Sequence, residues 1–256
     1  MADAKIETRL YLDETLAAGG GVELDADRAH YLRSVLRLRS GAAVALFNAR
    51  DGEWLARIES LGKGSCALAV ESRRRAPGPE PDLWLVFAPI KRARIDFLAE
   101  KATELGVSLL QPVFTKYTAV SRVNRARLAA NAREAAEQCG RLSLPEVREA
   151  CDLGALIADW PRHRRLLLCA EAGEAQPIAE ALEAAAGEGV ESPWAVMTGP
   201  EGGFAQSELD ALRDLPFVTP VGLGPRLLRA DTAALAALAS WQAILGDGRL
   251  RPFATP

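Results

Sequence analysis

Histidine and paired cysteine are what this sequence most plainly lacks. Its 256 residues include two histidines, His30 and His163, and four cysteines at positions 66, 139, 151 and 169. The cysteines are far apart and form no C-x-x-C pair, so no metal-ligand cluster can be read from spacing, and the chemistry is expected to use no metal. They read as buried free thiols, since Cys is a common core residue, and disulfides are not expected. No run approaches the ~20 uninterrupted apolar residues of a membrane span. The N-terminal MADAKIETRL is charged and carries no apolar signal core. A cytoplasmic protein without a membrane partner is expected. Two glycine-rich loops are also defined by what is missing. GPEGG (199–203) has no Lys-Ser/Thr of a P-loop, and GLGPRL (222–227) has no third Gly of the dinucleotide fingerprint.

What is present is an ordinary globular composition, 49% apolar and 25% charged, long enough for one large domain or two modest ones. The net charge of −3 hides an uneven distribution. Residues 91–148 hold 11 Lys/Arg against 6 Asp/Glu, whereas residues 149–210 hold 3 against 12. A basic face inside an acidic whole fits a nucleic-acid partner; solvated helix surfaces would produce the same count.

Residues 1–75 read as short β-rich runs (LYLD, GGGVELD, AAVALFNA, WLARIES, CALAVES) punctuated by Gly, Asn and Asp, with one helical stretch over 25–38. A small β-barrel with an embedded helix is the economical fold, and such barrels bind single-stranded nucleic acid on a basic face. RRRAPGPEPD (73–82) reads as a linker, because three prolines and a glycine oppose regular structure. From there strands and helices alternate. Strand-like runs cover 82–89, 107–114, 165–170, 193–198 and 217–223. Helix-like runs cover 93–106, 124–140, 177–186, 206–214 and 230–245. Alternation of this kind predicts an α/β domain with a mostly parallel sheet.

The two glycine loops each follow a strand and precede a helix. Such loops are either ordinary tight turns or the walls of a ligand pocket at the carboxyl ends of the strands. Glu201 inside the first would repel a polyphosphate, so a cationic or zwitterionic small ligand fits better.

Four ordered blocks narrow this further. They are GPEGG followed by LGPRLLRADTA; Lys91, Arg94, Asp96, Lys101 and Glu104 to Val107; Ala136 to Arg141 with Pro145; and His30 with Val35 to Arg37. Together they resemble the signatures of the RsmE family, ribosomal RNA uridine-N3 methyltransferases of the SPOUT (α/β-knot) class. Three positions depart from that pattern: Thr198 replaces an aliphatic residue, Ala205 a helix-capping Ser, and Asp231 a Glu.

The resemblance implies a PUA- or OB-like RNA-binding domain over 1–75 and a SPOUT methyltransferase domain with a trefoil knot over 76–256. It implies S-adenosylmethionine as cofactor, N3 of a decoding-region uridine in 16S ribosomal RNA as target, and a homodimer with shared sites. The substrate is ribosomal RNA, free or in the assembled small subunit. Cofactor-binding positions would be Cys169, Glu171, Thr198, Gly199, Pro200, Glu201, Gly202, Gly203, Gly222, Leu223, Gly224, Leu227 and Leu228. RNA would be met by Arg9, His30, Arg37, Lys91, Arg94, Gln138 and Arg141.

Uracil N3 is a weak acid. Glu201 is a candidate base, and the fork of Arg229 suits the negative uracil oxygens that form on deprotonation. Each of these residues also has a plain structural reading. Glu201 would cap the following helix, Arg229 would form an ion pair, Glu137 and Arg141 would pair at i,i+4, and His30 would be a packed residue. The other functions open are a SPOUT enzyme acting on another base atom and a non-catalytic RNA-binding assembly factor.

Overall fold

A computed structural model describes residues 5–170, 175–188 and 192–250. Among these the chain forms two compact units, residues 5–79 with 136–144, and residues 80–135 with 145–250.

In the first unit, β1 (Arg9–Tyr11), β2 (Gly21–Leu24), β3 (Ala43–Asn48), β4 (Gly52–Leu61) and β5 (Cys66–Arg75) make a sheet in the order β1-β3-β4-β5-β2. Strands β3, β4 and β5 form an antiparallel meander, while β1 joins β3 in parallel. Three register shifts between β4 and β5 add local twist and curl the sheet. Against it and the neighbouring turns a core of Leu12, Leu32, Leu46, Ile58 and Leu68 is buried. Arg73 to Arg75, read above as linker, instead complete β5, because Arg75 pairs opposite Glu53 and binds its carboxylate.

The helix expected over 25–38 is shorter and irregular. Asp25 caps α1 (Ala26–His30) by accepting the Arg28 N–H. The chain then widens into a π-helical turn, Tyr31–Val35, and Arg37 turns it with φ 57°.

The second unit is the expected α/β fold. Its elements are β6 (Leu83–Phe87), α2 (Arg92–Glu104), β7 (Leu109–Phe114), α3 (Arg125–Cys139, whose last turn belongs to the first unit), β8 (Glu146–Val147), β9 (Cys151–Asp152), α4 (Leu153–Ala158), β10 (Arg165–Cys169), β11 (Gln176–Pro177), α5 (Ile178–Gly187), β12 (Trp194–Thr198), α6 (Gln206–Arg213), β13 (Val218–Gly222) and α7 (Ala230–Ile244). The strands lie in the order β11-β13-β10-β12-β6-β7-β8, with β9 also on β7, and every pairing is parallel. The three shortest strands, and α4, are too brief for periodicity to reveal.

A strand covered on both faces reads as a near-continuous apolar run; β6 and β12 are wholly buried, and β12 turns polar only at its last residue, Thr198. Leu83, Leu85 and Phe87 face a core closed by α2, α5 and α7, whereas Trp84 and Val86 face one closed by α4 and α6. Arg164, 4% exposed, threads between strand starts: it donates to the Asp82 carboxylate at 2.6 Å and the Trp194 carbonyl at 2.8 Å, and covers the Trp84 ring. Burial opposes the Asp82 charge, yet Arg164 outweighs it and holds that carboxyl below its ordinary value.

Candidate functional site

Parallel pairing decides where the loops of the second unit meet. Cys169, the last residue of β10, stands level with Thr198 of β12 on one side and Val221 of β13 on the other. The segments after Cys169, Thr198 and Gly222 therefore leave one edge of the sheet side by side. Strand order also turns there, since β12 and β13 flank β10 on opposite sides, which is where open α/β sheets form a crevice. Of the first segment, Glu171 lies outside the described residues. Cys169 itself is partly exposed, but the loss of water around its sulfur pushes the thiol up to about 12, so it stays neutral.

The GPEGG loop needs its glycines. A Cβ on Gly199 would lie 3.0 Å from the Phe204 ring, and one on Gly202 would lie 3.1 Å from the Tyr117 Cβ. Gly203, at φ +69°, closes a turn by donating to the Pro200 carbonyl at 2.9 Å. Pro200 and Thr198 are buried, while Glu201, Gly202 and Gly203 face outward. The helix-capping role open to Glu201 belongs to Glu208. One Glu208 oxygen accepts the Ala205 N–H and the other accepts the Lys116 N–H, both at 2.8 Å. That is the reaching-back half of a capping box, and its mark in the sequence is Glu three residues after the N-cap.

The second loop is open. Gly224 takes φ +98°, and Leu227 is 85% exposed. From Leu223 to Leu228 the main chain makes no hydrogen bond to other main-chain groups among the described residues. Leu223 packs partly on the core beneath. Arg229 is the N-cap of α7; it is exposed and its side chain makes no capping bond. Among the described residues it also makes no ion pair. Asp231, two residues on, accepts the Thr232 N–H and lies 3.9 Å from Arg94 on α2. Lys91 is exposed at the N-cap of α2. Asp96 takes both Arg127 nitrogens and Asn131.

The remaining expected RNA contacts lie in the first unit. His30, Arg37 and Gln138 are exposed. Arg9 is not: its nitrogens donate to Glu53 and to the carbonyls of Ala136, Glu137 and Arg141, and its plane covers Phe47 at 4.1 Å. Each of its three nitrogens bonds to protein, so the expected RNA contact gives way to a role holding the 136–144 segment. Glu137 accepts the Tyr11 N–H, and Arg141 donates to Ser143. Glu53, 5% exposed, also binds Arg75 and faces Arg74. The sequence offered no sign of this cluster, since its members are distant in the chain. A separate groove of about 490 Å³ runs along α4 and α6, lined by Phe114, Leu153 and Ile157 with Asp152 and Glu208, and includes neither glycine loop.

The profile of an RNA methyltransferase domain matches residues 78–242, and that of an RNA methyltransferase PUA domain matches residues 24–71. A ribosomal RNA small subunit methyltransferase E of Rickettsia conorii is 31% identical over 90% of this chain and 93% of its own length. One of Mycobacterium bovis is 32% identical over 89% and 88%. A crystal structure of the Neisseria gonorrhoeae ribosomal RNA small subunit methyltransferase E bound to S-adenosyl methionine superposes with a TM-score of 0.80 at 27% identity, covering 94% of this chain and 98% of that one.

Proposed function

This chain belongs to the ribosomal RNA small subunit methyltransferase E family, and we propose that it methylates N3 of a uridine in the decoding region of small-subunit ribosomal RNA, using S-adenosylmethionine. The observation that carries the reading is the edge where β10, β12 and β13 end level, with an outward-facing main chain in the β13–α7 loop.

That loop fits the cofactor. Unbonded peptide groups between Leu223 and Leu228 suit the hydrogen-bonding edge of an adenine, and Leu223, Leu227 and Leu228 suit its faces. Gly199 to Gly203 approach closely from β12, and Glu201 favours a cation there by charge. When bound, S-adenosylmethionine supplies an electrophilic methyl group on a sulfonium sulfur. The chain's own residues hold the acceptor and manage its proton. In this reading Arg229 donates to the uracil oxygens as N3 loses its proton, and Glu201 takes that proton. Lys91, Arg94, His30, Arg37, Gln138 and Arg141 position the RNA, giving affinity that falls with salt. The reading extends to a homodimer, checked by light scattering, and to a knotted path for the C-terminal segment.

Calorimetry with S-adenosylmethionine, followed by nucleoside mass analysis of small-subunit RNA incubated with protein and donor, tests the proposal. Heat of binding and new 3-methyluridine are expected. Binding without any methylated nucleoside would leave an assembly factor instead, and a different methylated base would move the target atom.

A further inference from the structure

We propose that Tyr117 is a stacking platform for an RNA base beside the methylated nucleotide; the inference rests on the methyltransferase reading above. Tyr117 lies in the loop between β7 and α3, and 48% of it is exposed despite its large apolar ring. It is also fixed from three directions. Its Cβ meets Gly202 so closely that an added methyl would stand 3.1 Å away. The residue before it donates its N–H to Glu208, whose other oxygen caps α6 directly after the GPEGG loop. On the other side, Thr118 closes a turn onto Thr115, through main chain at 3.0 Å and through hydroxyls at 2.9 Å.

An aromatic ring held at its root and about half exposed loses little entropy when a second ring covers its exposed surface. Splayed-out bases of single-stranded RNA are recognised on such rings. The local charge suits the backbone of that partner: the Lys116 Nζ lies 5.9 Å from the ring centroid, and Arg122 is exposed in the same loop. Because Tyr117 touches Gly202, a base stacked on it adjoins the loop assigned above to cofactor and proton transfer.

The test compares the unmodified chain with Tyr117→Ala and Tyr117→Phe in steady-state methylation of small-subunit RNA, with S-adenosylmethionine affinity measured by calorimetry for each. Tyr117→Ala is expected to raise KM for RNA about tenfold, within the range of base–aromatic stacking, at unchanged kcat and unchanged donor affinity. Tyr117→Phe is expected to stay within about twofold, since stacking needs the ring and not the hydroxyl. Three results would overturn the inference alone: an unchanged KM in Tyr117→Ala, equal damage in Tyr117→Phe, or a lost donor affinity in Tyr117→Ala that marks a structural prop. No methylation by the unmodified chain would overturn the underlying reading, and the inference with it.

Discussion

Arg9 and Glu53 form a buried ion pair at 2.8 Å, with Arg75 at 2.9 Å on the same carboxylate oxygen. One acid thus serves two guanidinium groups, and those groups reach on to the main-chain carbonyls of residues 136, 137, 140 and 141. Removing the carboxylate leaves buried cations short of a partner, which costs on the order of 3 kcal/mol. Glu53→Gln is expected to lower the stability of the first unit by about that amount in urea unfolding. A loss under 1 kcal/mol would mean that the carbonyls alone satisfy the arginines.

The same acid has a pH signature. Burial disfavours its charge, but Arg9 and Arg75 outweigh burial and hold the Glu53 carboxyl below its ordinary value. Its stabilisation is therefore complete above the unfolded value of about 4.3 and is lost as pH falls through the folded one. Between pH 5 and 3, unfolding free energy is expected to fall more steeply in the unmodified chain than in Glu53→Gln. Parallel slopes would show that Glu53 contributes no such linkage.

Arg229→Ala is expected to reduce methylation of small-subunit RNA about a hundredfold while S-adenosylmethionine affinity is kept, since the exposed guanidinium is assigned to the acceptor. Full turnover by this variant would remove Arg229 from the chemistry.

Gly224 stands at φ +98°, where a β-branched side chain is strained by roughly 1–2 kcal/mol or more. No neighbouring atom obstructs an added Cβ, so the strain is in the main chain. Gly224→Val is expected to weaken donor binding at least tenfold in calorimetry while lowering the melting temperature by only a few degrees. A large drop in melting temperature with normal binding would reverse that assignment.

The cysteines should separate in a labelling experiment. Cys139 is exposed, whereas the Cys169 thiol is pushed up to about 12. Peptide mapping after iodoacetamide at pH 8 is expected to find Cys139 modified and Cys169 unmodified. Early modification of Cys169 would show that its sulfur is more hydrated than the structure has it.

Local order and periodicity alone determine much of this protein. Apolar runs of strand length alternate with helical faces from residue 82 onward, and burial on both sides leaves such strands almost wholly apolar, so the parallel sheet is legible in β6 and β12. The glycine loops are legible too, because close approach and positive φ favour a residue without a side chain. Tertiary structure decided what lies far apart in the chain. Only the pairing of β10 between β12 and β13 brings Cys169, Thr198 and Val221 level. Only the folded first unit turns Arg9 from a surface cation into the partner of Glu53, and only packing sets Glu208, 92 residues from Lys116, beneath the loop that carries Tyr117. Charges take their roles from neighbours within a few ångströms, and sequence spacing carries no record of neighbours that distant.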